Sequence, residues 1–387
     1  MKKEGGFNMG ISEKKMREIL GKDIAVSDVV NERLKDTYMQ LEERRVVSEN
    51  RRFYRRNFRT AAAILLVCLA IPGVVYASVK SGFFEGMFGN ETKTSTEVIH
   101  TEIDDGKGGT VAVDIPSKEY VPVDQAKATE LLGKWVMDKP IITQIGEHTL
   151  TVESFAYDRQ GALMYFTLKR EGGVTALAGN EHTNLTKGAY FTEEADFYLS
   201  VEASGEITGC DNIYLDTEKS TDDCMYCYSY ILWPEALTKD ASVNLVINKY
   251  PGSAKETKTM SDEEEQTWWA KTTTEQIRLS GKGQIPNQCI DLGENGYLEY
   301  SPISICVDMS KGLGLSAEEA ADPYYMKHLE IKYKDGSSYI ISDKEENINN
   351  SGYTLGTDEG YKAAFNRLVD PEQIAEIIVN EVSFPVQ

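Results

Sequence analysis

Cysteine and histidine are scarce in this chain, with six and four residues respectively among 387. Six cysteines are too few for a disulfide scaffold, and a chain of this length encloses apolar cores without such staples. His100, His148, His182 and His328 are scattered without ligand spacing, which points to satisfied surface side chains and not to a metal centre. Neither G-x-S-x-G nor H-E-x-x-H occurs, so the chain carries neither of these hydrolase signatures. Basic charge is short as well: 41 Lys and Arg stand against 62 Asp and Glu, a formal net charge of −21. Phosphate neutralisation needs clustered Lys and Arg, so the chain as a whole is not expected to bind nucleic acid.

Long apolar runs are also lacking, with one exception. From Ala61 to Val79 there is no charge, and at 1.5 Å per residue these residues reach about 28 Å, the thickness of a bilayer's hydrocarbon core. Charge reverses sign across them. Residues 1–59 hold 15 basic against 10 acidic side chains, and from Lys80 onward 26 face 52. Arg44, Arg45, Arg51, Arg52, Arg55, Arg56 and Arg59 stand immediately upstream. By the positive-inside rule they keep the N-terminal segment cytoplasmic and send the remainder across. Arg52, Arg55, Arg56, Arg59 and Phe58 are the expected membrane-interface residues. A signal peptide is disfavoured by the charged region of more than fifty residues before the apolar core. The reading is a single-pass cell-membrane protein with a transmembrane helix at 60–80.

The cytoplasmic segment, 1–59, carries two short amphipathic stripes. Met16, Ile19 and Leu20 end at Gly21; Val30, Leu34, Tyr38 and Leu41 then recur at spacings of four, four and three behind Ser27. Two such helices cannot enclose a core of their own, so their apolar face acquires its burial from a partner. The segment has no histidine, no phosphate-binding glycine loop and no kinase pattern. It reads as a binding module, and the chain is expected not to be an enzyme and to need no cofactor and no metal.

Beyond the span the period changes to two. Strand signals occur at Val98-Ile99, Val111–Ile115 and Val121–Val123, and within 147–170 around the turn Asp158-Arg159-Gln160-Gly161. Further ones fall at Asp196–Ala203, Met225–Trp233, Val243–Tyr250, Tyr297–Met309, Leu329–Tyr333 and Tyr339–Ser342. Asn295-Gly296 and Lys334-Asp335-Gly336-Ser337 read as tight turns, and Asp124 as the cap of a helix closed by Gly133. The expected fold class is mixed: short cytoplasmic α-helices, one transmembrane helix and a mainly-β extracellular region of two β-sandwich-like domains. Their expected extents are 81–260 and 261–387, joined at the acidic stretch Ser261–Gln266.

The segment DIAVSDVVNERLKDT at Asp23–Thr37, the span ending VYASVKSGFFEGMFGN, and GEHTLTVESFAYDRQGALMYFTLKREGGV at Gly146–Val174 together resemble the domain-of-unknown-function 4179 family of Gram-positive membrane proteins. LEIKYKDGSSY at Leu329–Tyr339 and RLVDPEQIAEIIVNEVSF at Arg367–Phe384 are similar to the closing strands of the second extracellular domain found in such proteins. The resemblance implies an anti-sigma factor that holds an extracytoplasmic-function sigma factor at the membrane, and it supplies no catalytic residues. Val30, Leu34, Tyr38 and Leu41 are the expected sigma contacts. The partners expected are therefore that sigma factor, the lipid bilayer and an extracellular ligand. The alternative is a cell-surface binding or adhesion protein for which residues 1–59 are an anchor.

The remaining features divide between structure and chemistry. Cys68 lies in the span; Cys224-x-x-Cys227 sits in a strand, where a spacing of three sends the side chains to opposite faces. Cys289 and Cys306 flank the Asn295-Gly296 turn, which suggests a cross-strand disulfide, and Cys210 faces the Cys224 pair across a turn. Asp262–Glu265 lacks the pattern of a calcium loop and reads as a solvated linker. Trp268-Trp269 would suit a sugar or a peptide, or equally staple two domains.

Overall fold

The structure, a computed structural model, describes residues 93–95, 99–104, 110–115, 118–120, 125–180, 186–279, 283–293, 296–308 and 326–386. The expected cytoplasmic helices and the span at 60–80 lie outside these residues. Among the described residues no helix is long and apolar enough to cross a membrane. The chain divides into two compact units, Met1–Ala70 with His100–Asp114, and Ile71–Ile99 with Ile115–Gln387. In the first, the described residues belong to a ribbon of β2 (Ile99–Asp104) and β3 (Thr110–Ile115). The second opens with the pair β1 (Lys93–Ser95) and β4 (Lys118–Tyr120) and contains everything that follows.

Helix α1 (Gln125–Leu132) ends at Gly133, whose N–H bonds to Thr129 O at 2.9 Å. In chain order come β5 (Ile141–Ile145), β6 (His148–Tyr157), β7 (Gly161–Lys169), β8 (Leu177–Asn180), β9 (Thr186–Phe191), β10 (Phe197–Ala203), β11 (Ile207–Thr208), β12 (Cys210–Asp216), β13 (Cys224–Leu232), β14 (Val243–Lys249) and β15 (Thr273–Arg278). They form two antiparallel sheets ordered β5-β6-β7-β13-β12-β9-β8 and β11-β10-β14-β15. The sheets face one another across an apolar core, with Leu150, Val152, Phe155, Phe166 and Ile231 from one and Phe197, Leu199, Leu245 and Ile247 from the other. Alternation builds this core directly: β10 is buried at every second residue. A bulge between Val152 and Ser154 shifts the parity of β6, so that both Val152 and Phe155 reach the same core.

The acidic stretch is not a linker between domains. Ser261 and Glu264 form a reciprocal cap, Glu264 Oε2 accepting from Ser261 N at 2.9 Å and from Ser261 Oγ at 2.7 Å, and α2 (Asp262–Trp269) follows. It connects β14 to β15, which pair from Asn244↔Arg278 to Lys249↔Thr273. The expected junction at 261 therefore lies inside the first sandwich, which runs through Arg278. Trp268 and Trp269 belong to it too; they meet at 4.7 Å and clasp Tyr250 at 5.8 and 5.0 Å.

The second sandwich follows with β16 (Gln288–Asp291), β17 (Tyr297–Tyr300), β18 (Ser304–Asp308), β19 (His328–Tyr333), β20 (Ser338–Asp343), β21 (Ile348–Asn349), β22 (Ser351–Thr357), β23 (Gly360–Phe365), β24 (Ile374–Val379) and β25 (Val382–Pro385). Its sheets are β16-β17-β18-β23-β22 and β21-β20-β19-β24-β25. Leu298, Ile305, Val307, Ala363 and Phe365 pack against Leu329, Ile331, Ile341, Ile377 and Val379 between them. The single strand expected over Tyr297–Met309 is a hairpin. Pro302 cannot donate to a ladder, and Ser301 N instead bonds to Ser304 O at 2.9 Å to turn the chain.

Candidate functional site

The expected partner contacts Val30, Leu34, Tyr38 and Leu41, and the membrane-interface residues Arg52, Arg55, Arg56, Phe58 and Arg59, lie outside the described residues. The cysteines lie within them, Cys68 apart, and the disulfide expected between Cys289 and Cys306 is not formed. Both are opposite Glu299, one on β16 and the other on β18, so that β17 separates them. Two strand spacings are about 9.6 Å, beyond the reach of a disulfide. The first hairpin, β16–β17, pairs Cys289 with Glu299, and the second turn at Pro302 carries Cys306 to the third strand. Cys210 is opposite Leu232, at the far end of its hairpin from Cys224. Cys227 points into the first core, where burial pushes its thiol well above its ordinary pKa, and Cys224 points to the outer face. Among the described residues no three His, Cys, Asp or Glu side chains converge as metal ligands would.

Two histidines depart from the surface expectation. His148 is buried edge-on to Phe197 at 5.3 Å with no hydrogen bond to either ring nitrogen, and burial holds its pKa down. His328 is held between carboxylates, Nδ1 at 2.8 Å from Asp343 Oδ2 and Nε2 at 3.3 Å from Glu330 Oε2.

Among the described residues, a polar assembly lies at the joint between the two sandwiches. Its apolar part covers the outer face of the seven-stranded sheet. Leu163, Tyr165, Tyr214, Tyr228, Tyr230 and Leu232 pack beneath Ala128, Leu132 and Val136 of α1 and its exit, and beneath Ile303 and Ala364 of the second sandwich. Tyr165 stacks on Tyr228 at 4.8 Å, and Tyr214 donates its hydroxyl to Gly352 O at 2.8 Å. Gly352 is required there: a β-carbon would lie 2.3 Å from Tyr230 Cδ1.

Around this face two turns interlock. Asp158, fully buried in the β6–β7 turn, accepts from Gln160 N at 2.7 Å and Gly161 N at 2.6 Å through Oδ1. Its Oδ2 accepts the hydroxyls of Ser301 and Ser304 from the β17–β18 turn of the other sandwich. Burial raises the Asp158 pKa while these four donors oppose the rise. Beside it, Glu299 Oε2 accepts from Gln160 Nε2 at 2.6 Å and Arg159 Nη1 at 2.8 Å, and Asn287 Oδ1 accepts from Arg159 N at 3.2 Å.

A second contact runs the other way. Lys362, wholly buried on β23, donates Nζ to Trp233 O at 3.0 Å and to Glu359 Oε2 at 2.7 Å. Glu359 in turn accepts from Ala236 N at 2.8 Å. A third joins α1 to the second sandwich, Lys127 Nζ standing 2.8 Å from Asp370 Oδ2. These groups bridge the two sandwiches and hold them together. Sequence reasoning found the Asp158 turn but not its socket, because the serines lay in a stretch read as continuous strand. Pro302 was the available signal.

A mainly-β, two-sandwich class of protein is what this fold and joint define. No family model matches the chain, and no curated protein matches it. Among solved structures, "The crystal structure of the conserved domain protein from Bacillus anthracis" is similar over 62% of this chain and 74% of its own, at 12% identity and a TM-score of 0.29, too low to carry any argument.

Proposed function

We propose that the chain is a membrane-bound anti-sigma factor. Residues 1–59 sequester an extracytoplasmic-function sigma factor in the cytoplasm, 60–80 cross the membrane, and the β-rich region outside receives the signal. The observation that carries this reading is the reversal of charge across Ala61–Val79, arginine-rich before it and strongly acidic after it, which fits the positive-inside rule. The amphipathic stripe Val30, Leu34, Tyr38 and Leu41 supplies a face suited to a helix-in-groove contact. The resemblance to anti-sigma-like membrane proteins supports the same assignment. In this reading the chain performs no chemistry; it occludes the sigma surface that RNA polymerase requires.

Affinity capture from native lysate with the solubilised full-length chain, followed by mass spectrometry, tests it. A sigma factor retained by the wild type and lost from the Leu34→Glu/Tyr38→Glu double variant is the expected result. Retention by both would sink the contact stripe. Capture of no sigma factor by either would favour the alternative, a surface binding protein whose acidic β-region does the work.

A further inference from the structure

We infer that the two sandwiches form one mechanical body, whose mutual orientation is set by the Asp158 turn seated on Ser301 and Ser304 and by Lys362 seated on the Trp233 carbonyl. This holds whatever residues 1–59 bind. Domains joined by a mobile linker meet through modest polar surfaces and move against each other by default. Here the contact has the anatomy of an interior. The tyrosine face is covered from two sides, and the polar groups around it are buried and directed across the boundary.

Those polar groups give the joint a single register. Asp158 is held by two amides of its own turn, so its Oδ2 is aimed before the second sandwich arrives. The acceptor then needs both Ser301 and Ser304 hydroxyls, and Ser301 Oγ is itself fixed by accepting from Ile303 N at 3.0 Å and Ser304 N at 3.2 Å. Sliding or rotating the sandwiches would strand a buried carboxylate and, at the other end, a buried ammonium. Leaving such groups unpaired costs far more than a neutral hydrogen bond. Apolar surface alone tolerates many orientations, whereas these two seats admit one. A displacement imposed on either sandwich is therefore delivered to the other as a rigid rotation.

Hydrogen exchange and calorimetry on the full-length chain test this. In the wild type, the amides of Gly161, Ile303 and Ser304 are expected to exchange as slowly as the central strands β14 and β19, and the β-region to melt in one transition. Asp158→Asn keeps the size and removes the charge. It should speed exchange of the joint amides about tenfold or more while β14 and β19 stay protected. Should that variant fail to fold, Gly352→Val provides a second probe: a wedge against Tyr230, expected to split the melt into two transitions. Joint amides that exchange in the wild type like exposed turns, or two wild-type transitions, would overturn the inference. So would an Asp158→Asn variant with unchanged joint protection.

Discussion

The interior of the second sandwich and the joint between sandwiches are both buried, yet they are built from different chemistry. Inside the sandwich, Leu298, Ile305, Val307, Leu329, Ile331, Ile377 and Val379 meet as an aliphatic cluster, and the one guanidinium against this core, Arg367, lies 4.0 Å over the Tyr339 ring and crosses no domain boundary. At the joint, tyrosines share the boundary with Asp158, Glu299 and Lys362. The apolar interior derives its stability from area removed from water, which is insensitive to small rotations. The joint derives its orientation from directional bonds, which are not. One region makes the fold stable, and the other decides how two stable pieces meet.

The comparison breaks most violently at an interior. Phe166→Ala empties a fully buried site in the first core and should cost about 3 to 5 kcal/mol, read from denaturant unfolding. At the joint the loss should be smaller but qualitatively different. Lys362→Met keeps the volume while stranding Glu359 and the Trp233 carbonyl; about 2 kcal/mol is expected, and wild-type stability in that variant would show that the lysine contributes packing alone.

Asp211 sharpens the contrast from the other side, because it is a carboxyl facing the first interior. It accepts from Ser229 Oγ at 2.6 Å, and burial raises its pKa to about 6. A folded pKa above the unfolded value means that the folded state holds the proton longer. Stability is therefore full near pH 4, falls as the pH rises toward 6, and stays reduced above it. Asp211→Asn should stabilise the protein by about 2 kcal/mol at pH 8 and leave it unchanged near pH 4, as followed by melting at the two pH values. The smallest effect is expected on the surface. Ile142 of edge strand β5 is 63% exposed, and Ile142→Thr should shift stability by no more than about 0.5 kcal/mol in the same assay.

Legibility in the sequence followed the same division. Alternation marked β6, β7, β10, β13, β14, β19 and β20, and turn chemistry located Asp158–Gly161 and Lys334–Ser337, because both signals are local. The helix α2 was missed although Ser261-x-x-Glu264 is a capping box, since its acidic composition resembled a solvated linker. β1, β4, β5, β8, β9, β11, β12, β15, β16, β21, β22 and β23 fell outside the strand signals, and β23 is the instructive case. It is buried along its whole length, including Lys362, and a strand buried on both faces has no alternation to read. The cysteine pairing failed on topology: symmetry about a turn identifies partners only when the next turn does not intervene.

By itself the sequence determined a mainly-β region, the single apolar run, the reversal of charge across it and the positions of several hairpins, all from periodicity and composition within short windows. Only the tertiary structure decided that the acidic helix belongs to the first sandwich, that Cys289 and Cys306 stand two strands apart, and that Asp158 meets Ser301 and Ser304. These depend on contacts between residues more than a hundred positions apart in the last case, and on strand order in the second. No local pattern encodes such a meeting, because each turn carries only its own half of the bond.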